Sequence, residues 1–218
     1  MKLMFRTIVF TVLAISSSVV VGQITAPVEK PDVNVGDTWY YRSIDGFTNE
    51  VRSENRFRVV EITPTEITVQ AESKGRSFKK QMISDRQWNT LDDGDAKYEP
   101  SNLDFQFPMS VGSTWKQQSQ KTIFSSGAAF SHFREGKVVG TEKVTVPAGT
   151  FDTLRVESKT ESRSLGPAAT ITNTVVTLWY APQVNRWVRL TVQGSANGRV
   201  REKYSMELVD YTPAKRLQ

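Results

Sequence analysis

The chain has 218 residues, a net charge of +5, one histidine and no cysteine. The lack of cysteine excludes disulfides and thiol catalysis, and a single histidine argues against a histidine-based metal site. The positive excess is small, whereas nucleic-acid-binding proteins concentrate a larger excess in clusters. The sequence therefore predicts a protein with no nucleic-acid partner, no metal and no cofactor.

Residues 1–22 have the layout of a secretory signal peptide. Lys2 and Arg6 precede a mostly apolar run that ends at Val21, and a cleavage point is expected after Gly22. The run is shorter than the ~20 residues of a membrane span. It has no nearby cysteine that could carry a lipid. We expect a soluble, periplasmic protein without a lipid anchor, whose net charge falls to +3 when the two basic residues are removed.

From Asp37 onward, apolar residues recur with a period of two, which indicates β-strands rather than helices. Ile67, Val69 and Ala71, for example, alternate with polar neighbours. Turn residues separate the extended segments at Asp45-Gly46, Lys74-Gly75, Ser126-Gly127, Leu165-Gly166 and Asn197-Gly198. Roughly ten strands joined by short turns predict an all-β fold, a curved antiparallel sheet forming a half-barrel or barrel-like structure, with a sandwich as the alternative. We expect few or no helices after the signal peptide.

A short motif occurs twice in the chain. The sequence VGDTW at 35–39 recurs as VGSTW at 111–115. Each copy has a glycine that interrupts the chain and a tryptophan that begins a predicted strand. We expect 23–218 to form a single β domain, and a duplicated unit would divide it into related halves at about 31–90 and 105–211. The alternative is that the motif is only a favourable way to begin a strand.

The segment between the two motif copies, Leu91–Phe107, is polar and rich in Asp and Asn. This composition predicts a long loop or linker between the halves. Its acidic run Asp92–Asp95 offers oxygen ligands for calcium, but it lacks the twelve-residue register of a calcium loop. We therefore interpret the run as a solvated turn.

His132 is the one histidine, and it lies between Phe130 and Phe133. A catalytic histidine needs a nucleophile within hydrogen-bonding reach, and the sequence contains no Gly-x-Ser-x-Gly motif or comparable signature. We interpret His132 as a structural or surface residue, and we predict that the protein is not an enzyme.

Basic residues cluster on the predicted strands in three places: Arg52, Arg56 and Arg58; Arg76, Lys79 and Lys80; and Arg199, Arg201 and Lys203. Glutamates are interspersed among them, which is typical of ordinary solvent-facing surfaces. Gathered on one face, these residues would instead attract anionic head groups or an acidic polysaccharide.

Six aromatic residues are the candidate ligand-binding residues: Trp39, Tyr40, Trp115, Trp179, Tyr180 and Trp187. A curved sheet that encloses an apolar cavity would be lined by such rings and could hold an acyl chain or another apolar molecule. The alternative is that these rings fill the core, where large aromatic side chains are commonly buried.

Three segments resemble a family of uncharacterised bacterial exported domains. They are VPAGTF at 146–151, WYAPQV at 179–184 and FPMSVGSTW at 107–115. The resemblance covers residues 105–192, and Asn185 stands where many relatives have glycine. Such domains are grouped loosely with the lipoprotein carriers LolA and LolB, so the resemblance implies a curved antiparallel sheet around an apolar cavity. It also implies lipid or lipoprotein as a ligand, and it assigns no catalytic residue.

These observations favour a non-catalytic periplasmic protein that binds an apolar or envelope-associated ligand, such as a lipid or a lipoprotein. The alternative is an adaptor module that docks on an envelope protein complex through a sheet edge or a basic face. A hydrolase that uses two carboxylates is the third hypothesis, because sequence spacing does not show whether two acids face each other.

Overall fold

The computed structural model describes residues 24–75, 79–166 and 169–215, so the predicted signal peptide lies outside the described residues. Within them the chain forms twelve strands and one short 3₁₀ helix at Pro182–Val184. The strands are β1 Thr38–Asp45, β2 Val51–Ile62, β3 Glu66–Ser73, β4 Lys79–Asp85, β5 Thr90–Asp92, β6 Ala96–Glu99, β7 Thr114–Ile123, β8 Ala129–Val146, β9 Gly149–Ser164, β10 Ile171–Ala181, β11 Arg186–Ala196 and β12 Arg199–Thr212. No helix in this part of the chain is long and apolar enough to cross a membrane.

The strands form a closed barrel in which each strand pairs antiparallel with the next, and β1 pairs with β12. The predicted all-β, barrel-like fold is confirmed, with twelve strands instead of roughly ten. Short connections explain this topology, because they join only antiparallel neighbours, and closure removes the exposed edges of an open sheet. The connections 46–50, 93–95, 124–128 and 197–198 lie at one end of the barrel, here called the hairpin end. The opposite end, here called the base, carries the connections 63–65, 86–89, 147–148 and 182–185.

The two motif copies occupy equivalent positions in the barrel. Gly36 and Gly112 have positive φ angles of 102° and 93°. Their N–H groups donate to the carbonyls of Val59 and Val138, both at 2.8 Å. Each glycine lies two residues before the start of a strand, β1 or β7, and these strands lie on opposite sides of the ring of twelve. Strands from both predicted halves thus contribute to one closed barrel.

The segment Leu91–Phe107 differs from the predicted loop or linker, because it contains most of β5 and all of β6, and its remainder enters the barrel. Phe105 is buried, and its N–H donates to Asn89 Oδ1 at 2.7 Å. Asn102 and Asp104 line the barrel interior. The polar composition of this segment predicted exposure to solvent, but its polar side chains form hydrogen bonds with one another inside the protein. The acidic run does form a turn, in which Asp92 Oδ1 accepts from the Gly94 N–H.

Candidate functional site

Two adjoining cavities lie inside the barrel. The inner cavity, of about 310 Å³, is nearer the base, and its apolar wall includes Phe57, Val69, Leu178, Trp187, Leu190 and Met206. The outer cavity, of about 440 Å³, extends toward the hairpin end and is bordered by Lys121, Phe130, His132, Thr160 and Thr172. Asn102, Arg134, Val176, Val192 and Tyr204 border both cavities. Each volume falls in the range of ~300–1,000 Å³ typical of small-molecule sites.

Aromatic side chains close the inner cavity at the base. The indole N–H of Trp39 donates to the Val184 carbonyl at 2.9 Å, and that of Trp88 donates to the Asn185 carbonyl at 2.8 Å. These carbonyls are presented by the 3₁₀ turn, which Asn185 ends with a left-handed φ of 53°. Asparagine tolerates this conformation better than most residues other than glycine. The tryptophans are therefore fixed in orientation as well as buried.

Arg186 lies among these rings and borders the inner cavity. Its guanidinium carbon is 4.6 Å from the ring centre of Trp88, 5.1 Å from that of Trp39 and 5.4 Å from that of Phe57. Arg186 as a whole is half-buried, but its Nε and Nη1 atoms are inaccessible to water and have no hydrogen-bond partner among the described residues. No carboxylate in the described ranges forms an ion pair with it. Burial lowers the pKa of Arg186, and the nearby hydroxyls of Tyr41 and Tyr180 partly oppose that effect.

A second arginine, Arg134, is buried on the opposite, polar wall, but it has an acidic partner. Its Nη2 lies 3.1 Å from Asp104 Oδ1 and donates to Ser158 Oγ at 2.9 Å. Asp104 in turn accepts from the Thr90 hydroxyl at 2.8 Å. The charge of Arg134 is thus compensated within the protein, whereas that of Arg186 is not.

His132 belongs to this same polar wall. Its Nδ1 lies 2.8 Å from Ser162 Oγ, and its Nε2 lies 2.8 Å from Asn102 Oδ1. Burial, with the positive charges of Arg134 and Lys121, lowers the pKa of His132 to about 4. The imidazole is therefore neutral at pH 7, and it connects the 100–107 segment to the strand wall.

The six aromatic residues predicted to bind a ligand occupy three kinds of position. Trp187 borders the inner cavity. Trp39, Trp115 and Tyr180 are buried in the packed core. Tyr40 and Trp179 face outward; Tyr40 is 36% exposed, and the Trp179 indole donates to Glu142 Oε2 at 2.8 Å. Successive residues of a strand point to opposite faces, so neither Trp39 and Tyr40 nor Trp179 and Tyr180 can face the interior together.

Sequence reasoning missed four of the residues that shape the interior: Trp88, Asn102, Arg134 and Arg186. The interior position of Arg134 could have been predicted from the alternation of its strand. Arg134 lies two residues from His132 and four from the fully buried Val138, so the three share one strand face. Arg186 gave no such signal, because a bulge between Trp179 and Tyr180 shifts the register beside it.

Two solved structures are similar to the whole fold. A predicted lipoprotein of Parabacteroides distasonis has a TM-score of 0.57 and 15% identity over 86% of this chain and 100% of its own. A predicted exported protein of Bacteroides fragilis with a YmcC-like fold has a TM-score of 0.51 and 18% identity over the same shares. At these identities the likeness concerns the fold alone.

A search of curated proteins gives no match. The DUF3108-like family profile matches residues 61–189, a range that includes both the VPAGTF and the WYAPQV segments. The suggested grouping with LolA and LolB is not shown by these comparisons and stays a prediction. Because the match extends over more than half of the sequence, the chain belongs to the DUF3108-like family.

Proposed function

We propose that this protein is a non-catalytic, extracytoplasmic binding protein that holds an apolar or amphiphilic ligand inside its barrel. The observation that carries the proposal is the inner cavity, in which a wall of apolar and aromatic side chains faces a polar wall that includes Asn102, Asp104 and Arg134. Transferring an apolar chain from water to such a wall contributes about 25 cal/mol per Å² of buried surface. The layout of residues 1–22, and the exported and lipoprotein descriptions of the two structural neighbours, support a location outside the cytoplasm.

The polar wall supports a binding role rather than a catalytic one. His132 and Ser162 are close enough for proton transfer. However, an imidazole with a pKa of about 4 is a weak base at neutral pH. Its other nitrogen is held by Asn102, which belongs to the segment that enters the barrel. We therefore assign this group the task of fixing the 100–107 segment.

Binding is tested with N-phenyl-1-naphthylamine, an uncharged probe whose fluorescence rises in apolar surroundings, and with native mass spectrometry of protein purified from the cell envelope. We expect saturable probe binding and a mass increment that organic extraction removes. The variant Val176→Trp fills the region between the cavities and should abolish binding. Val175→Trp is the matched control, because Val175 is the preceding residue on the same strand and points outward, 43% exposed.

Circular dichroism and thermal unfolding verify that both variants are folded. A clean mass without ligand, together with no probe binding, would contradict the proposal, as would equal binding by the two variants. Crosslinking in the periplasm distinguishes the adaptor alternative. A specific protein partner, found together with an empty barrel, would favour that alternative.

A further inference from the structure

The positive charge of Arg186 has no negatively charged partner among the described residues. Withdrawing part of a guanidinium from water is unfavourable even after relaxation, and charges withdrawn from water are normally paired. The surrounding rings attract the cation, but their faces do not replace hydrogen-bond acceptors of full strength. The Tyr41 and Tyr180 hydroxyls lie near the guanidinium, but they are neutral. Nε and Nη1 have no acceptor among the described residues, and no described carboxylate forms an ion pair with the group. Arg134 provides the contrast within the same interior, because Asp104 is its partner.

The cavity supplies a place for the missing anion. Arg186 borders the inner cavity at the base, where Trp39 and Trp88 close the barrel. From that point the apolar wall extends past Leu178, Leu190 and Val192 toward the hairpin end. A molecule with a compact anionic group and an apolar chain therefore matches both parts, with its anionic group innermost.

We propose that the ligand is a single-chain amphiphile whose anionic head group binds Arg186 at the base of the inner cavity. This inference rests on the proposed function, since it specifies what the barrel binds. Arginine pairs with carboxylates and phosphates through charge-assisted hydrogen bonds, so both head groups belong to the ligand class. An alcohol or an ester of the same chain lacks the charge and should bind more weakly.

The test measures displacement of N-phenyl-1-naphthylamine by five ligands of equal chain length: hexadecanoic acid, its methyl ester, hexadecanol, hexadecyl phosphate and hexadecylamine. A hydrogen bond to a charged group is typically worth a 10- to 100-fold change in affinity. We expect the acid or the phosphate to bind the native chain about 10- to 100-fold more tightly than the ester and the alcohol. This comparison needs no variant and so does not depend on a variant's folding.

Arg186→Met should remove the preference for the anion while the alcohol and the probe still bind. Arg189→Met is the matched control, because Arg189 is on the same strand but stacks on the outward Trp179 and pairs with Glu207. That control should keep the preference. Equal affinity of the native chain for acid, ester and alcohol, tighter binding of the amine, or an unchanged preference in Arg186→Met would overturn the inference while leaving the proposed function intact. If neither the probe nor any of the five ligands binds, both fall.

Discussion

Gly136 provides a sharp test of how the barrel is packed. A Cβ atom added at Gly136 would lie 2.3 Å from Cε2 and Nε1 of the Trp115 indole and 2.6 Å from Cζ2. Non-bonded carbon atoms normally approach to about 3.5–4.0 Å, so the ring would have to move by more than about 1 Å. The indole is rigid, and it is held by a hydrogen bond from Nε1 to the Leu103 carbonyl at 3.1 Å.

Gly136→Ala should therefore destabilise the protein. Overpacking typically costs about 1–3 kcal/mol, and loss of the indole hydrogen bond adds about 1 kcal/mol. The free energy of unfolding should fall by about 2–4 kcal/mol in total, which lowers the urea midpoint by about 1 M or more for an m-value of about 2 kcal/mol/M. Urea unfolding followed by circular dichroism measures this difference.

Gly140→Ala is the matched control on the same strand, because an added Cβ meets no atom within 4 Å there. Its effect should be close to zero or stabilising by up to about 1 kcal/mol, since alanine restricts the unfolded chain. In a Trp115→Leu background the cost of Gly136→Ala should largely disappear. Equal stability of the two alanine variants would refute the packing argument.

Two further predictions concern buried polar groups. The pKa of His132 is about 4 in the folded protein, below its ordinary value of 6.5, so the unfolded chain binds a proton more readily. The contribution of His132 to stability is therefore full above pH 6.5 and falls by about 3 kcal/mol as the pH drops to about 4. Over this range the free energy of unfolding in urea should fall by about that much more for the native chain than for His132→Gln. Asp37→Ala should lower the free energy of unfolding by about 2–3 kcal/mol, because Asp37 accepts hydrogen bonds from the Asn34 and Ala214 N–H groups. Ser113 occupies the equivalent position and accepts one such bond, so Ser113→Ala should lower it by about 1 kcal/mol. Equal midpoints for these two variants in urea would contradict the assignment.

The fold could be predicted because its determinants are local. Period-two alternation and turn residues such as Asn197-Gly198 specify strands and hairpins one at a time, and short connections leave few topologies open. Closure could not be predicted, because the pairing of β1 with β12 joins residues such as Trp39 and Tyr211 that are far apart in the sequence. The sequence predicts too few strands, because β5 and β6 are only three and four residues long.

The site was harder to predict than the fold. Residue type alone nominates the aromatic residues, whereas the interior selects them by strand parity, which turns Trp179 outward. Trp187 borders the inner cavity because the bulge in the β10–β11 pairing shifts the alternation beside it. In the sequence, Arg186 is indistinguishable from a surface arginine, because no neighbouring residue indicates that its guanidinium is partly buried. Its position follows from the 3₁₀ turn and the adjacent bulge, which depend on tertiary contacts such as the Trp39–Val184 hydrogen bond.

The central claim is that a ligand occupies the barrel interior, and methyl NMR tests it most directly. Protein carrying ¹³C-labelled Val, Leu and Met methyl groups is titrated with hexadecanoic acid. The account predicts large shift changes at the cavity residues Val69, Val176, Leu190 and Met206, and little change at the outward Val175 and Val209. Shift changes confined to outward methyl groups, or none at saturating ligand, would contradict it.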